Sequence, residues 1–225
     1  MAAVAGMTVV ADAATRHGPG RWHIDEPVGR ALADVALGHG AGGGVESPDL
    51  AVVTRAMVAA GFRVGRFEQP WRVAGRRVGA PPVQLDAAWC DALPRFTSGS
   101  SPLVVGGRSA GARVACRTAE RLGAPGVLAL AFPLHPPGRP DRSRLSEIPS
   151  IPVLVVQGGR DSFGGAAEVV EAGHALARLT VLAVPGADHS LRVWKQGPIT
   201  QAEADEVVAV GTRRWARSVM QGNHR

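Results

Sequence analysis

The segment from Leu103 to Ala115 reads LVVGGRSAGARVA and contains the most informative motif of the chain. A short apolar strand comes first, then the pattern G-x-S-x-G, then residues that favour a helix. A serine between a parallel strand and a helix lies on a sharp turn that exposes its hydroxyl, and large side chains two positions away would clash. Gly107 and Gly111 meet this requirement. The segment therefore predicts a nucleophile elbow with Ser109 at its tip.

The composition favours one α/β domain over residues 1–225. The chain has 225 residues, 45% of them hydrophobic, which is enough for a substantial core. The formal charge is +6, but the arginines are scattered from Arg16 to Arg225 without a dense run or interleaved aromatic residues. This pattern indicates solvated arginines, and we expect no nucleic-acid partner.

The cysteines and the apolar segments predict a cytoplasmic chain. Cys90 and Cys116 lie far apart without a C-x-x-C spacing, which indicates buried free thiols in a reducing compartment. The apolar run from Met1 is broken at Asp12, and no span of about 18 apolar residues follows, so we expect no membrane partner. We also expect no metal and no cofactor.

Apolar runs alternate with amphipathic segments, a pattern typical of βαβ units in a parallel sheet. The predicted strands are Thr8–Ala11, Arg21–Ile24, Ala31–Leu37, Arg63–Glu68, Leu103–Gly106, Val127–Phe132, Val153–Gln157 and Thr180–Val184. The predicted helices are Ser47–Ala60, Pro82–Thr97, Ala110–Leu122, Gly165–Ala177 and Thr200–Gln221, the last beginning with a capping box of Thr200 and Glu203. The expected fold class is α/β, with about eight mostly parallel strands and helices on both faces.

Two further residues complete a possible catalytic triad with Ser109. A serine hydroxyl needs a histidine to take its proton and usually a carboxylate to orient that histidine. Asp161 follows the strand that ends at Gln157, and His189 follows the next strand. The alternatives are a turn aspartate that caps a helix at Asp161 and an exposed loop histidine at His189. Asp188 is given no catalytic role, because sequence neighbours rarely point their side chains at one another.

A glycine-rich turn predicts the donors of an oxyanion hole. One donor is the backbone N–H of the residue after the nucleophile, here Ala110. The second should come from the turn GHGAGGG at residues 38–44, where Ala41 is our choice and Gly42 the alternative. We expect His39 to brace this turn. Phosphate binding is the weaker interpretation, since the turn lacks the lysine and Ser/Thr of a P-loop.

These motifs in this order resemble the α/β-hydrolase superfamily over roughly residues 30 to 220. The segments RFEQP at 66–70 and GGRSAGAR at 106–113 are more narrowly similar to small lidless hydrolases related to dienelactone hydrolase, including the testis-expressed and histone-acetyltransferase-subunit homologues. The resemblance implies an eight-stranded sheet and hydrolysis of an ester or related acyl bond. The loop Pro133–Ser143 is too short for a lid domain, and we expect it to cross the mouth of the site. Dienelactone hydrolases use a cysteine nucleophile, so lactone cleavage is not implied for a chain with Ser109.

Five residues form a predicted substrate-binding wall. Arg108 precedes the nucleophile, and the segment after residue 68 contributes the other four, which are Trp71, Arg72, Arg76 and Arg77. Guanidinium groups beside the site would favour an acidic substrate. The alternative is that these arginines face solvent or pair within the protein, with Glu68 as a partner.

The sequence thus predicts a serine hydrolase, monomeric or homodimeric, that acts on a small acyl substrate. An arginine wall at the site would favour an acidic one. Ser109, His189 and Asp161 form its triad, and the amides of Ala110 and Ala41 hold the oxyanion. Two alternatives stay open at this point. A noncatalytic interaction module could keep the same fold, and a thioesterase or acyltransferase could use the same triad.

Overall fold

The computed structural model of the chain describes residues 8–97, 99 and 101–222. Its strands are β1 (Val9–Thr15), β2 (Gly18–Asp25), β3 (Asp34–Gly38), β4 (Arg63–Glu68), β5 (Leu103–Arg108), β6 (Val127–Leu130), β7 (Val153–Gly158) and β8 (Leu179–Val184). Its helices are α1 (Pro48–Ala59), α2 (Pro70–Val73), α3 (Pro82–Phe96), α4 (Ala110–Thr118), α5 (Ala166–Ala172) and α6 (Gln201–Met220), with a 3₁₀ turn at Leu145–Glu147. The predicted domain of residues 1–225 includes 1–7, 98, 100 and 223–225, which lie outside the described residues.

The eight strands form one sheet in the order β1-β2-β4-β3-β5-β6-β7-β8. Strand β2 runs antiparallel to both of its neighbours, and every other adjacent pair is parallel. The predicted fold class, a mostly parallel sheet of about eight strands, is confirmed. Since β3, β5, β7 and β8 run in the same direction, the residues that follow them meet at one edge of the sheet.

Apolar side chains on both faces of the sheet explain its two covering layers. Neighbouring residues of a strand point to opposite faces, so a strand buried on both sides is a continuous apolar run. Val104 of β5 belongs to the core beneath α1 and α6, and Val105 belongs to the core beneath α3, α4 and α5. Helices therefore cover both faces, as the sequence predicts.

An aromatic cluster attaches the antiparallel β1–β2 ribbon to the domain. Trp22 of β2 packs 4.7 Å from the Phe96 ring and 4.9 Å from the Phe67 ring, measured between centroids. Its indole N–H donates to the carbonyl of Ala92 in α3 at 3.0 Å. Aromatic burial with a satisfied N–H makes this cluster an anchor for the edge of the sheet.

The boundaries of several predicted elements differ from those observed. Helix α4 ends at Thr118 instead of Leu122, before a turn at Gly123, which has φ of 64°. Helix α5 ends at Ala172 instead of Ala177, because Gly173 follows it and glycine commonly stops helices. The four-residue helix α2 was not predicted, since one turn is too short to show a hydrophobic period. The predicted capping box at Thr200 and Glu203 is present.

A backbone contact sets the distance between β3, β5 and the start of α4. A Cβ atom placed on Gly111 would overlap the carbonyl of Gly38, and one on Gly107 would lie 2.5 Å from the same oxygen. Both glycines of the G-x-S-x-G pattern are therefore required by packing against Gly38. This contact brings the end of β3, and the turn that follows it, directly beside the elbow.

We expect Gly111→Ala to destabilise the protein, because the added methyl overlaps the Gly38 carbonyl. The expected loss is about 2 kcal/mol or more, or roughly 4 to 8 °C in Tm for a chain of this size. Thermal unfolding followed by circular dichroism measures it. Gly42→Ala is the matched control, since a methyl there meets nothing within 4 Å. Equal Tm values for the two variants would contradict the packing argument.

Candidate active site

Ser109 lies on a strained turn between β5 and α4. Its backbone has φ of 52° and ψ of −110°, a left-handed region that costs a non-glycine residue about 1–3 kcal/mol. The strand before it is hydrogen-bonded on both sides, and the Ser109 N–H donates to the Leu130 carbonyl at 2.9 Å. The surrounding sheet thus holds the residue in this conformation. Its side chain is partly exposed at the carboxyl edge of the sheet.

The structure brings Ser109, His189 and Asp161 together. Ser109 Oγ lies 2.9 Å from His189 Nε2. His189 Nδ1 lies 2.8 Å and 3.0 Å from the two carboxylate oxygens of Asp161. A carboxylate can only accept here, so Nδ1 carries the proton and the Nε2 lone pair faces the serine hydroxyl. This is the geometry in which a serine can lose its proton to a histidine.

Asp161 is held by donors from its own loop and strand. Its side chain is fully buried, and it accepts hydrogen bonds from the Phe163 N–H at 2.8 Å and from Gln157 Nε2 at 3.0 Å. Gln157 also donates to the carbonyl of Gly164, which fixes the amide. These donors satisfy the buried carboxylate and fix its orientation. Asp161 does not cap the following helix, which begins at Ala166 with Gly165 at its N-cap.

The loops after β7 and β8 touch, which explains how Asp161 meets His189. A Cβ atom on Gly158, the last residue of β7, would overlap the Ala187 carbonyl, so only glycine allows this approach. Asp188 accepts from the N–H groups of Ser190 and Arg192, at 2.7 Å and 3.1 Å. It shapes the loop and does not orient the imidazole, in agreement with the sequence argument.

Phe163, which was not predicted from the sequence, stacks its ring on the His189 imidazole. The ring centroids lie 4.1 Å apart with an interplanar angle of 28°. The stacked ring restricts rotation of the imidazole and covers one of its faces. The available signal was an aromatic residue two positions after Asp161. Gln157 was also missed, although it is the polar residue near the end of the apolar strand VLVVQG.

The turn after β3 lies beside the nucleophile. A Cβ atom on Gly40 would lie 3.4 Å from the Ser109 Cβ and 2.6 Å from an Arg108 nitrogen, so a side chain there would displace the Arg108 guanidinium. Ala110 is the first residue of α4, where backbone N–H groups have no partner within the helix. Ala41 borders the same cavity as Ala110. These placements suit the predicted oxyanion donors, whose role stays a prediction.

His39 braces this turn as an uncharged imidazole. Its Nε2 accepts from the Gln69 N–H at 3.1 Å, so Nδ1 carries the proton and donates to the Gly40 carbonyl at 2.8 Å. Burial lowers the pKa of His39, which is consistent with the neutral form. The ring therefore joins the turn to the end of β4.

Arg108 pairs inside the protein, which is the alternative to its place in a substrate-binding wall. Its Nε lies 2.8 Å from Asp49 Oδ2 in α1, and both side chains are buried, with exposed fractions of 11% and 2%. Its Nη2 donates to the His189 carbonyl at 3.2 Å and to Ser190 Oγ at 3.0 Å. The sequence did not identify this partner, because Asp49, 59 positions earlier, carries no local sign of the pairing. Arg108 instead connects α1 to the loop that bears His189.

The remaining residues of the predicted wall separate into two groups. Trp71 is buried and lines the same cavity as Ala41 and Ala110, whereas Arg72, Arg76 and Arg77 are exposed. Among the described residues these three arginines form no ion pair, and Glu68 lies next to Arg21 and His23 instead. The solvent-facing alternative describes them, while the suggested pairing with Glu68 is wrong.

Cys90 and Cys116 are free thiols. Burial raises the pKa of the Cys116 thiol to about 12 and also raises that of Cys90. Within residues 8–97, 99 and 101–222, no group of three or more His, Cys, Asp or Glu side chains is arranged to hold a metal ion. None of the helices in this part of the chain is long and apolar enough to cross a membrane.

Residues 31–217 match a protein family described as an alpha/beta hydrolase domain. Among solved structures, a lidless serine hydrolase of Xanthomonas campestris is similar with a TM-score of 0.70 at 20% identity, over 92% of this chain and 94% of that one. A putative alpha/beta hydrolase of Agrobacterium tumefaciens gives 0.71 at 17% identity, over 95% and 97%. Dienelactone hydrolase of Anabaena variabilis gives 0.70 at 19%, over 94% and 97%. No curated protein matches the chain.

We expect Arg108→Met to destabilise the fold by about 3–5 kcal/mol, because it leaves Asp49 buried without its counter-charge. Burial already raises the pKa of Asp49, and Arg108 opposes that effect. Without the arginine, the folded-state pKa rises further. Protonation then favours the folded state, so the deficit shrinks as pH falls through that pKa and is largest at neutral pH.

Urea unfolding across pH values from about 4 to 8 measures this effect. The double variant Arg108→Met with Asp49→Leu should recover most of the stability, since no buried charge remains. Arg76→Met, at an exposed position, is the control and should change stability by less than about 0.5 kcal/mol. A pH-independent loss in Arg108→Met would contradict the ion-pair explanation.

Proposed function

Because the chain belongs to the alpha/beta hydrolase family, as its motifs predict, we propose that it is a serine hydrolase of carboxylic esters or related acyl bonds. The observation that carries this proposal is the continuous contact from Ser109 Oγ to His189 to Asp161. The narrower likeness to the testis-expressed and histone-acetyltransferase-subunit homologues stays a prediction. So do a cytoplasmic location and a monomeric or dimeric state.

Acylation begins when Ser109 Oγ attacks the carbonyl carbon of the substrate. The serine proton moves to His189 Nε2, and Asp161 stabilises the imidazolium through Nδ1–H. The carbonyl oxygen becomes an oxyanion, with the N–H groups of Ala110 and Ala41 as its donors. When the tetrahedral intermediate collapses, the bond to the leaving group breaks and His189 returns the proton to the departing atom. The product is an acyl-enzyme.

Deacylation repeats these steps with water as the nucleophile. Water gives a proton to His189 Nε2 and attacks the acyl carbon, and the second intermediate then releases the acid as the proton returns to Ser109 Oγ. An alcohol or amine in place of water would make the same site an acyltransferase, and a thioester in place of an ester would make it a thioesterase. The complete set of contacts disfavours the alternative of a noncatalytic module, for which no such alignment is needed.

Ser109→Ala should abolish reaction with a fluorophosphonate probe, because the probe reacts covalently with an activated serine hydroxyl. Labelling is read by gel fluorescence and by the mass of the intact protein. Ser150→Ala, which changes an exposed serine, is the control and should label like the wild type. Labelling of Ser109→Ala at the wild-type rate would exclude Ser109 as the nucleophile.

Asp161→Asn should lower kcat on p-nitrophenyl acetate by about 10³ to 10⁴, since an amide no longer holds the productive tautomer of His189. Asp188→Asn keeps the oxygen that accepts from the loop and should stay within about threefold of wild type. Steady-state kinetics on both variants separates the two neighbouring carboxylates. A larger loss in Asp188→Asn than in Asp161→Asn would reverse their assignment.

A further inference from the structure

Two loops meet at Phe163, the residue whose ring stacks on His189. Phe163 lies in the loop after β7, and its carbonyl accepts from the backbone N–H of His135 at 3.1 Å. His135 belongs to residues 133–143, the loop after β6 that the sequence predicts at the mouth of the site. This hydrogen bond attaches that loop to the segment that carries Asp161 and Phe163.

The His135 side chain has two partners that can only accept hydrogen bonds. Its Nδ1 lies 2.9 Å from the Pro136 carbonyl oxygen, and its Nε2 lies 3.1 Å from Glu168 Oε2 in α5. A neutral imidazole carries one N–H and can donate to only one of the two. Both contacts are hydrogen bonds only when His135 is an imidazolium, which then also forms an ion pair with Glu168.

Charged groups from two elements face the His135 ring. Glu168, at the start of α5, favours the imidazolium, whereas Arg144, whose Nη1 donates to the Pro133 carbonyl at 3.0 Å, disfavours it. The hydrogen bond to the Pro136 carbonyl and the contacts with Glu168 raise the pKa of His135, against burial and Arg144. The charged ring is thus consistent with the two hydrogen bonds that it makes.

The segment that His135 holds contains two adjacent glycines. His135 binds the Phe163 carbonyl at one end of this segment and the Glu168 carboxylate at the other, and Gly164 and Gly165 lie between them. Gly164 has φ of 115°, a conformation open to glycine. The backbone of the segment is therefore permissive, and contacts from the neighbouring loop are needed to fix the Phe163 ring.

We propose that His135 is a positioning residue for the hydrolase reaction. As an imidazolium bound to Glu168 and to the Pro136 carbonyl, an arrangement we call the His135 clamp, it holds Phe163 against His189. The stacked ring limits rotation of the imidazole, and its π face stabilises the positive charge that His189 gains during the reaction. The proposal rests on the serine-hydrolase function above and adds to that site a residue that acts through another side chain.

The clamp predicts a loss of activity at alkaline pH. A group with a raised folded-state pKa contributes stability that is complete below its ordinary pKa, about 6.5 for histidine, and is lost as pH rises through the folded value. Above that value neutral His135 keeps one of its two hydrogen bonds. The kcat on p-nitrophenyl acetate, with spontaneous hydrolysis subtracted, should have an acid limb from protonation of His189. It should also have an alkaline limb, about threefold deep, from deprotonation of His135.

Glu168→Gln removes the charge but keeps the contacts of the clamp. The amide oxygen can still accept from the Gly165 N–H, as Glu168 Oε1 does at 2.9 Å, so the amide N–H faces His135 Nε2. That nitrogen must then accept, and the ring is neutral with both contacts kept. The alkaline limb should disappear while kcat at pH 7 stays within about threefold of wild type. Two-bond ¹H–¹⁵N spectra should show a raised His135 pKa in the wild type and a lower one in the variant.

A double-mutant cycle tests whether His135 acts through Phe163. His135→Gln should lower kcat about tenfold and leave KM within about twofold, because it loosens the ring without touching the substrate. Added to Phe163→Ala, which removes the ring, His135→Gln should lower kcat by less than about twofold more. His174→Gln is the matched control, since His174 is exposed and its Nδ1 also bonds a carbonyl, that of Glu171 at 2.8 Å. It should react like the wild type.

The outcomes separate this proposal from the function on which it rests. The charged clamp is overturned if His135 titrates at or below the ordinary histidine pKa, or if Glu168→Gln keeps the alkaline limb. These two measurements decide the question even if His135→Gln does not fold. Multiplicative losses in the double variant overturn the action through Phe163, and Ser109-dependent hydrolysis stands in all these cases. If the wild type shows neither ester hydrolysis nor fluorophosphonate labelling, the hydrolase function fails and the positioning role fails with it.

Discussion

The close approach of Gly38 to Gly107 and Gly111 is the constraint on which the site depends. Three glycines let the end of β3, the end of β5 and the start of α4 meet backbone to backbone. This contact holds Ser109 in a left-handed conformation that costs about 1–3 kcal/mol. The ladders of β5 with β3 and β6 offset that cost. A strained turn supported in this way carries a hydroxyl at a fixed point above the sheet edge.

Different interactions fix the loops on the two sides of the nucleophile. On one side, the buried pair of Arg108 and Asp49 holds the backbone of the His189 loop. On the other side, neutral His39 joins the glycine-rich turn to the end of β4 through hydrogen bonds alone. A charge on His39 would require Nε2 to donate, and the Gln69 N–H that it now faces is also a donor. The turn beside the oxyanion hole therefore depends on an uncharged ring.

Local sequence signals predicted the fold and the three residues of the candidate triad. Each of these signals lies within a few residues of the element that defines it. They are the elbow, the positions of Asp161 and His189 directly after strands, and the capping box at Thr200. The partner of Arg108 could not be found in this way, because the pairing with Asp49 depends on how α1 packs beside β5. The same holds for Phe163, since stacking on His189 requires two loops to touch. Sequence periodicity specifies elements, whereas their side-chain contacts depend on three-dimensional packing.

The exposed arginines and the cavity beside the predicted oxyanion hole differ in how they can act on a charged molecule. Arg72, Arg76 and Arg77 face solvent, where water and salt screen their attraction for an acidic group. The cavity lined by Ala41, Trp71 and Ala110 differs, because its one permanently charged side chain, Arg113, is already paired with Glu147. A carboxylate there would lose its hydration without gaining a free counter-charge. Surface charge can raise the encounter rate of an acidic molecule without deciding which acyl group fits.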